Sequence, residues 1–130
     1  MLNTRFVMVA SGVALGVAGG ACLFAPAETL SLLGFPGADA ITGQVLGAAY
    51  LGLAAANWTA RGTMIGGIYA RPLSLANFVH FLIGAIVLAK GISINFLNPA
   101  YAGAALVYLV FSTLFGLLLF GRLARVDSGQ

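Results

Sequence analysis

Hydrophobic positions along this chain gather into four continuous runs, about Phe6 to Ala25, Ile41 to Thr59, Leu73 to Ala89 and Tyr101 to Gly121. Each run approaches the roughly 20 residues that a helix needs to cross a hydrocarbon core of about 30 Å. Strands of a membrane barrel would instead alternate polar and apolar positions over about 10 residues. Between the runs lie PAETLSLLGFPGAD, ARGTMIGGIYARP and KGISINFLNPA, whose Gly, Pro and Asn end or redirect helices. None is long enough to form a soluble domain. The pattern therefore predicts one all-α domain over residues 1–130, an integral membrane four-helix bundle with antiparallel spans. Pro26, with Glu28 behind it and Gly34 to close, predicts a short helix lying at the interface in the first connection.

Composition agrees with the pattern. Of 130 residues, 61% are hydrophobic and 7% charged, against about a quarter charged in an ordinary soluble domain. The six basic and three acidic side chains are too few to hydrate a soluble surface. Their net charge of +3 does not point to nucleic acid, because the basic residues flank apolar runs and build no basic, aromatic-studded face. Positive loops stay in the cytoplasm. With four spans, Arg5, Arg61, Arg71, Arg122 and Arg125 share one side and Lys90 lies on the other with Glu28 and Asp39. That distribution predicts both termini in the cytoplasm. Gly19 to Cys22 reads GGAC, but Gly19 stands where a lipoprotein cleavage box wants a branched apolar residue, and the apolar run continues to Ala25. The first run is thus expected to be an uncleaved span, and the lone Cys22 to pack as a small apolar residue.

Helix association in lipid depends on close packing of small residues. Gly12, Gly16 and Gly20 form a GxxxGxxxG on the first run, and Gly43 and Gly47 continue the theme on the second. These seams suit packing within the chain, and they also suit a homo-oligomer. Steps of three and four align Gly47, Tyr50, Ala54, Asn57 and Arg61 on the second run, Leu73, Asn77, His80 and Gly84 on the third, and Tyr101, Ala105, Tyr108 and Ser112 on the fourth. If those stripes face inward, the cytoplasmic half of the interior collects Asn57, Asn77, His80 and Ser112, with Tyr108 beside them and Ser11 within reach.

His80 is the only histidine. Seven residues past Leu73, it lies about 10 Å below the cytoplasmic end of its helix. An imidazole at that depth needs a hydrogen-bond partner, and an ionisable group inside a membrane is a functional candidate. Neutral His80 bonded to Asn57 or Ser112 would tie helices together. Alternatively, His80 is the one candidate for metal or haem-iron ligation. Ala76 and Gly84, four residues to either side, leave little bulk beside its ring, and the Ala76-to-His80 spacing resembles that of bacterial light-harvesting polypeptides. The resemblance implies a tetrapyrrole on His80, although those polypeptides cross the membrane once. A single histidine excludes bis-histidine haem within one chain. No zinc ligand set, paired intramembrane carboxylates, phosphate loop, internal repeat or broken span is present to support an enzyme or transporter.

Asn57, Trp58 and Arg61 at the end of the second run, Arg71 and Pro72 opening the third, and Asn77 and His80 within it resemble small bacterial four-span membrane proteins of a domain-of-unknown-function family. The resemblance covers most of the chain and implies a four-helix bundle in the bacterial inner membrane. The expected role is a small non-catalytic membrane protein, an accessory or scaffold subunit that meets lipid and other membrane subunits. No motif demands a resident cofactor. The alternative role is binding of a lipid, a quinone or a tetrapyrrole pigment or haem in a cytoplasmic-side pocket around Asn77 and His80, with Asn57, Tyr108 and Ser112 as further lining.

Overall fold

The computed structural model describes residues 3–62, 70–95 and 97–127, which are entirely helical apart from turns and caps. Helix α1 is Thr4–Phe24, α2 is Pro26–Leu32, α3 is Ala40–Ala60, α4 is Ala70–Asn95 and α5 is Pro99–Asp127. Most of the connection expected between Ala60 and Pro72 lies outside the described residues, as do the side chains of Arg122 and Arg125.

Local chemistry sets the helix starts. Asn3 accepts from the Arg5 N–H at 3.0 Å and opens α1. Asp39 accepts from the Thr42 N–H at 3.2 Å and opens α3. Pro26 begins α2 where a missing N–H costs nothing, and Gly34, at φ 93°, turns the chain away from it. Asn98 precedes Pro99, and its Oδ1 accepts from the N–H groups of Ala100 (3.0 Å) and Tyr101 (3.3 Å).

Three helical stretches are long and apolar enough to cross a membrane: Thr4–Phe24, Arg71–Asn95 and Pro99–Gly121. Helix α3 matches α1 in length at 21 residues, about 31 Å at 1.5 Å per residue. It falls outside that set, its hydropathy lowered by Gln44, Asn57 and several glycines. Helix α4 also runs past the expected end at Ala89, through Lys90 and Gly91 to Asn95. Gly91 is retained because the Tyr101 side chain of α5 seats against its bare Cα, donating its hydroxyl to the Leu88 carbonyl at 2.7 Å. A contact between helices thus overrides the local turn signal.

The helices form two antiparallel hairpins. In the first, Gly12 of α1 faces Ala54 of α3, Gly19 faces Gly47 and Leu51, and Pro26 faces Gly43. A methyl added at Gly19 would lie 2.9 Å from the Gly47 carbonyl oxygen, and one at Gly47 would lie 2.8 Å from the Gly19 carbonyl oxygen. The expected seam through Gly20 is corrected here, because a methyl added at that residue would meet nothing within 4 Å. At 100° per residue, position 19 lies about 20° from position 12 around the helix, whereas position 20 lies about 80° away.

In the second hairpin, glycine notches in one helix receive aromatic rings from the other: Tyr108 over Gly84, Tyr101 over Gly91 and Phe78 over Gly116. The hairpins share a core of Val7, Met8 and Leu15 from α1, Ala54 from α3, Phe81 from α4, and Phe111, Phe115 and Leu118 from α5. Phe81 lies parallel to Phe115 with centroids 5.9 Å apart.

Candidate functional site

Polar side chains hold the two hairpins together at three heights. At the Arg61 end, Asn57 of α3 and Asn77 of α4 are fully buried and exchange amide hydrogen bonds of 2.7 and 2.6 Å. The second proton of Asn57 Nδ2 goes to Ser11 Oγ of α1 at 3.0 Å, and that of Asn77 Nδ2 to the Leu73 carbonyl at 2.9 Å. Ser11 in turn donates to the Met8 carbonyl at 3.1 Å. All four amide protons are spent, so this knot joins three helices and leaves no donor for a ligand. At the opposite end, Asn98 Nδ2 donates to the Leu32 carbonyl at 3.0 Å, joining the α4–α5 turn to α2.

The third contact lies midway. Tyr108 of α5 donates to the Tyr50 hydroxyl of α3 at 2.7 Å, and His80 Nε2 of α4 lies 3.2 Å from the same Tyr108 oxygen. Ten residues of α3 lie on either side of Tyr50, which places it about 15 Å from each end. Tyr108 is about 14 Å from the start of α5 and His80 about 14 Å from Arg71 by the same rise, so the three groups sit at matching depth. His80 presents its ring edge-on to Tyr50 at 5.7 Å and to Phe81 at 5.0 Å.

This geometry corrects two expectations for His80. Its partner is Tyr108, not Asn57 or Ser112. Asn57 is consumed by Asn77, and Ser112 Oγ donates to the Leu109 carbonyl of its own helix at 2.8 Å. The open space expected beside the imidazole, above Gly84, is filled by the Tyr108 ring. A tetrapyrrole on Nε2 would have to displace that ring and break the hydrogen bond at the same atom. Among the described residues no three His, Cys, Asp or Glu side chains come together as a metal site.

The Tyr50–Tyr108 pair stands between two hollows. On one side is a cleft of about 510 Å³ lined by Leu46 and Tyr50 of α3, Val79, His80, Ile83 and Val87 of α4, and Tyr108 of α5, reaching Phe35 and Tyr101 at its far end. On the other is a cavity of about 260 Å³ between Leu15, Phe81, Val107 and the same tyrosines. A pocket around Asn77 on the Arg61 side was the expectation. The larger cleft instead starts at His80 and opens toward the end that holds α2. Asn57 and Asn77 line neither hollow, because both are fully buried and spend their amide protons within the knot. Among the described residues, the lining of the larger cleft includes no Asp, Glu, Lys or Arg.

Of the five expected site residues, His80 and Tyr108 meet at the cleft, Asn57 and Asn77 form the separate knot, and Ser112 joins neither. Tyr50 is the residue that the sequence placed on the right stripe without singling it out. Its depth, equal to that of Tyr108 and His80, is the signal that identifies it. Comparison with protein-family models, with curated proteins and with solved structures finds no match for the chain.

Proposed function

We propose that this chain is a non-catalytic bacterial inner-membrane protein that crosses four times, with both termini cytoplasmic, and holds an uncharged, largely apolar molecule in the cleft between its hairpins. The crossing of α3 is supported by its packing along α1 from Asn57 to Gly47. Trp58, half exposed beneath the Arg61 guanidinium at 4.2 Å, suits the interface at that end. Arg5, Arg61 and Arg71 on one side, with Glu28, Asp39 and Lys90 on the other, support the orientation.

The binding role rests on one observation: an apolar cleft of about 510 Å³ has a polar cluster, Tyr50, His80 and Tyr108, at mid-depth. Its volume is that of a drug-sized ligand site, and a few convergent polar groups in an apolar wall are what fix a ligand's orientation. Charged lipid headgroups do not suit it, because no cationic or anionic side chain lines it. Purification in lipid discs followed by solvent extraction and mass analysis tests the role. The wild type should carry an uncharged apolar molecule that Val79→Trp, which fills the cleft, does not. Identical extracts from the two proteins would contradict it.

A second reading, an accessory subunit beside a larger membrane assembly, draws on Gly20, Gly52 and Gly103, whose faces have nothing within 4 Å and would admit another helix closely. Gentle solubilisation and size analysis test it. A strictly monomeric protein without a co-purifying subunit would count against it.

A further inference from the structure

We infer that the molecule held in the cleft bears a carbonyl head of the quinone class, and that the Tyr50 hydroxyl donates a hydrogen bond to it. This inference rests on the ligand-binding role proposed above. It follows from counting protons around the mid-depth cluster. A phenol has one proton to give. Tyr50, Tyr108 and neutral His80 carry three N–H and O–H protons between them, and the two contacts that join them, at 2.7 and 3.2 Å, use two. One donor is therefore left over whichever way the two contacts run. When His80 donates from Nε2 to Tyr108 and Tyr108 donates to Tyr50, the proton left over is that of Tyr50, which has no acceptor among the described residues. Tyr50 lines the cleft, so this donor is presented to whatever occupies it.

An unspent hydroxyl in apolar surroundings is costly, and an acceptor atom on the ligand removes that cost. The acceptor is neutral, since among the described residues no charged side chain lines the cleft to balance an ionic head. Depth narrows the class further. Tyr50 lies about 15 Å from either end of α3, beyond the interfacial level where the ester carbonyls of glycerolipids sit. A compact carbonyl-bearing ring on an apolar tail can reach that level, and the remaining cleft toward Phe35 and Tyr101 gives the tail an apolar path. Gly84 completes the arrangement, because only a residue without Cβ lets the Tyr108 ring lie on α4 and meet Tyr50 and His80 at once.

The test uses full-length protein in phosphatidylcholine discs, with protein-free discs as the baseline. The probes are a decyl-substituted benzoquinone and decylbenzene, which has the same tail and no acceptor. The quinone should bind more tightly, and its carbonyl infrared band should move to lower frequency. Tyr50→Phe keeps the ring but removes the donor. It should return the band to its free position and weaken quinone binding about fivefold, the value of one neutral hydrogen bond near 1 kcal/mol, while leaving decylbenzene unchanged. Equal binding of the two probes to the wild type with no band shift would overturn the inference. If Val79→Trp then excludes both probes, the cleft is still a binding site and only the head-group assignment fails. If Val79→Trp leaves both bound, the ligand-binding role fails as well. The wild-type comparison of two probes decides the head group even if Tyr50→Phe fails to fold.

Discussion

The seam inside the α1–α3 hairpin and the seam between the two hairpins are built on opposite principles. Inside the hairpin, Gly19 and Gly47 bring backbone against backbone, so there is no room between them for a side chain, a water or a ligand. Between the hairpins, side chain meets side chain: an apolar core around Phe81 and Phe115 is joined by polar bridges at Asn57–Asn77, Tyr50–Tyr108 and Asn98–Leu32, with hollow space on both sides of the middle one. Dispersion from close packing holds the first. It is short-ranged and lost outright when the surfaces part. In the second, side-chain packing is joined by hydrogen bonds in an apolar medium, where a partner left behind is penalised. A membrane protein that needs both rigid units and a place for a small molecule can thus separate the two tasks between seams.

Substitutions that attack each seam should differ in size. Gly47→Leu should be the most damaging, because its Cβ alone meets backbone atoms within 3.0 Å that cannot move aside. Overpacking typically costs about 1–3 kcal/mol or more, and here the upper end or loss of the folded hairpin is expected. A broadened size-exclusion profile and lowered helical content would show it. Gly84→Ala should come next, since the Tyr108 ring would have to leave its notch and with it both Tyr50 and His80. The ring can shift, so a cost near about 1–2 kcal/mol is expected, read from detergent-induced unfolding.

Asn57→Leu strands the Asn77 amide and should cost about 1–3 kcal/mol. The double variant with Asn77→Leu should recover part of that loss, and a double-mutant cycle measures how much. Strict additivity would mean that the reciprocal amide pair contributes no coupling. Tyr108→Phe removes the middle bridge while keeping the ring, and should cost about 1 kcal/mol or less in the membrane setting. Gly20→Ala touches nothing and should stay within about 0.5 kcal/mol. A large loss there would move the glycine contact back to the face read from GxxxGxxxG.

The sequence made the helices legible because hydropathy and capping are local properties: Asn3, Pro26, Asp39 and Pro99 all stand where helices begin. Distances around the helix were harder. Counting by fours chose Gly20, whereas the facing line drifts by 3.6 residues per turn and selects Gly19. The end of α4 was hidden because Gly91 reads as a breaker until Tyr101 of another helix is placed against it. Asn57 and Asn77 were legible as a pair of buried amides near one end. The partner of His80 was not, since the inward stripes fix a face but not a depth. Only when Tyr50, Tyr108 and His80 are set at a common height does the bridge emerge, and with it the cleft on the α2 side of His80.

Photoaffinity labelling tests most directly whether the boundary between hairpins is where this protein works. A small uncharged aryl diazirine, activated in discs that hold the intact protein, samples every lipid-facing surface as well as the cleft. The account predicts label concentrated on Leu46, Ile83 and Val87 of the cleft and lost from them in Val79→Trp. Label spread evenly over those residues and over the exposed Val17 and Leu117, unchanged by that substitution, would contradict it.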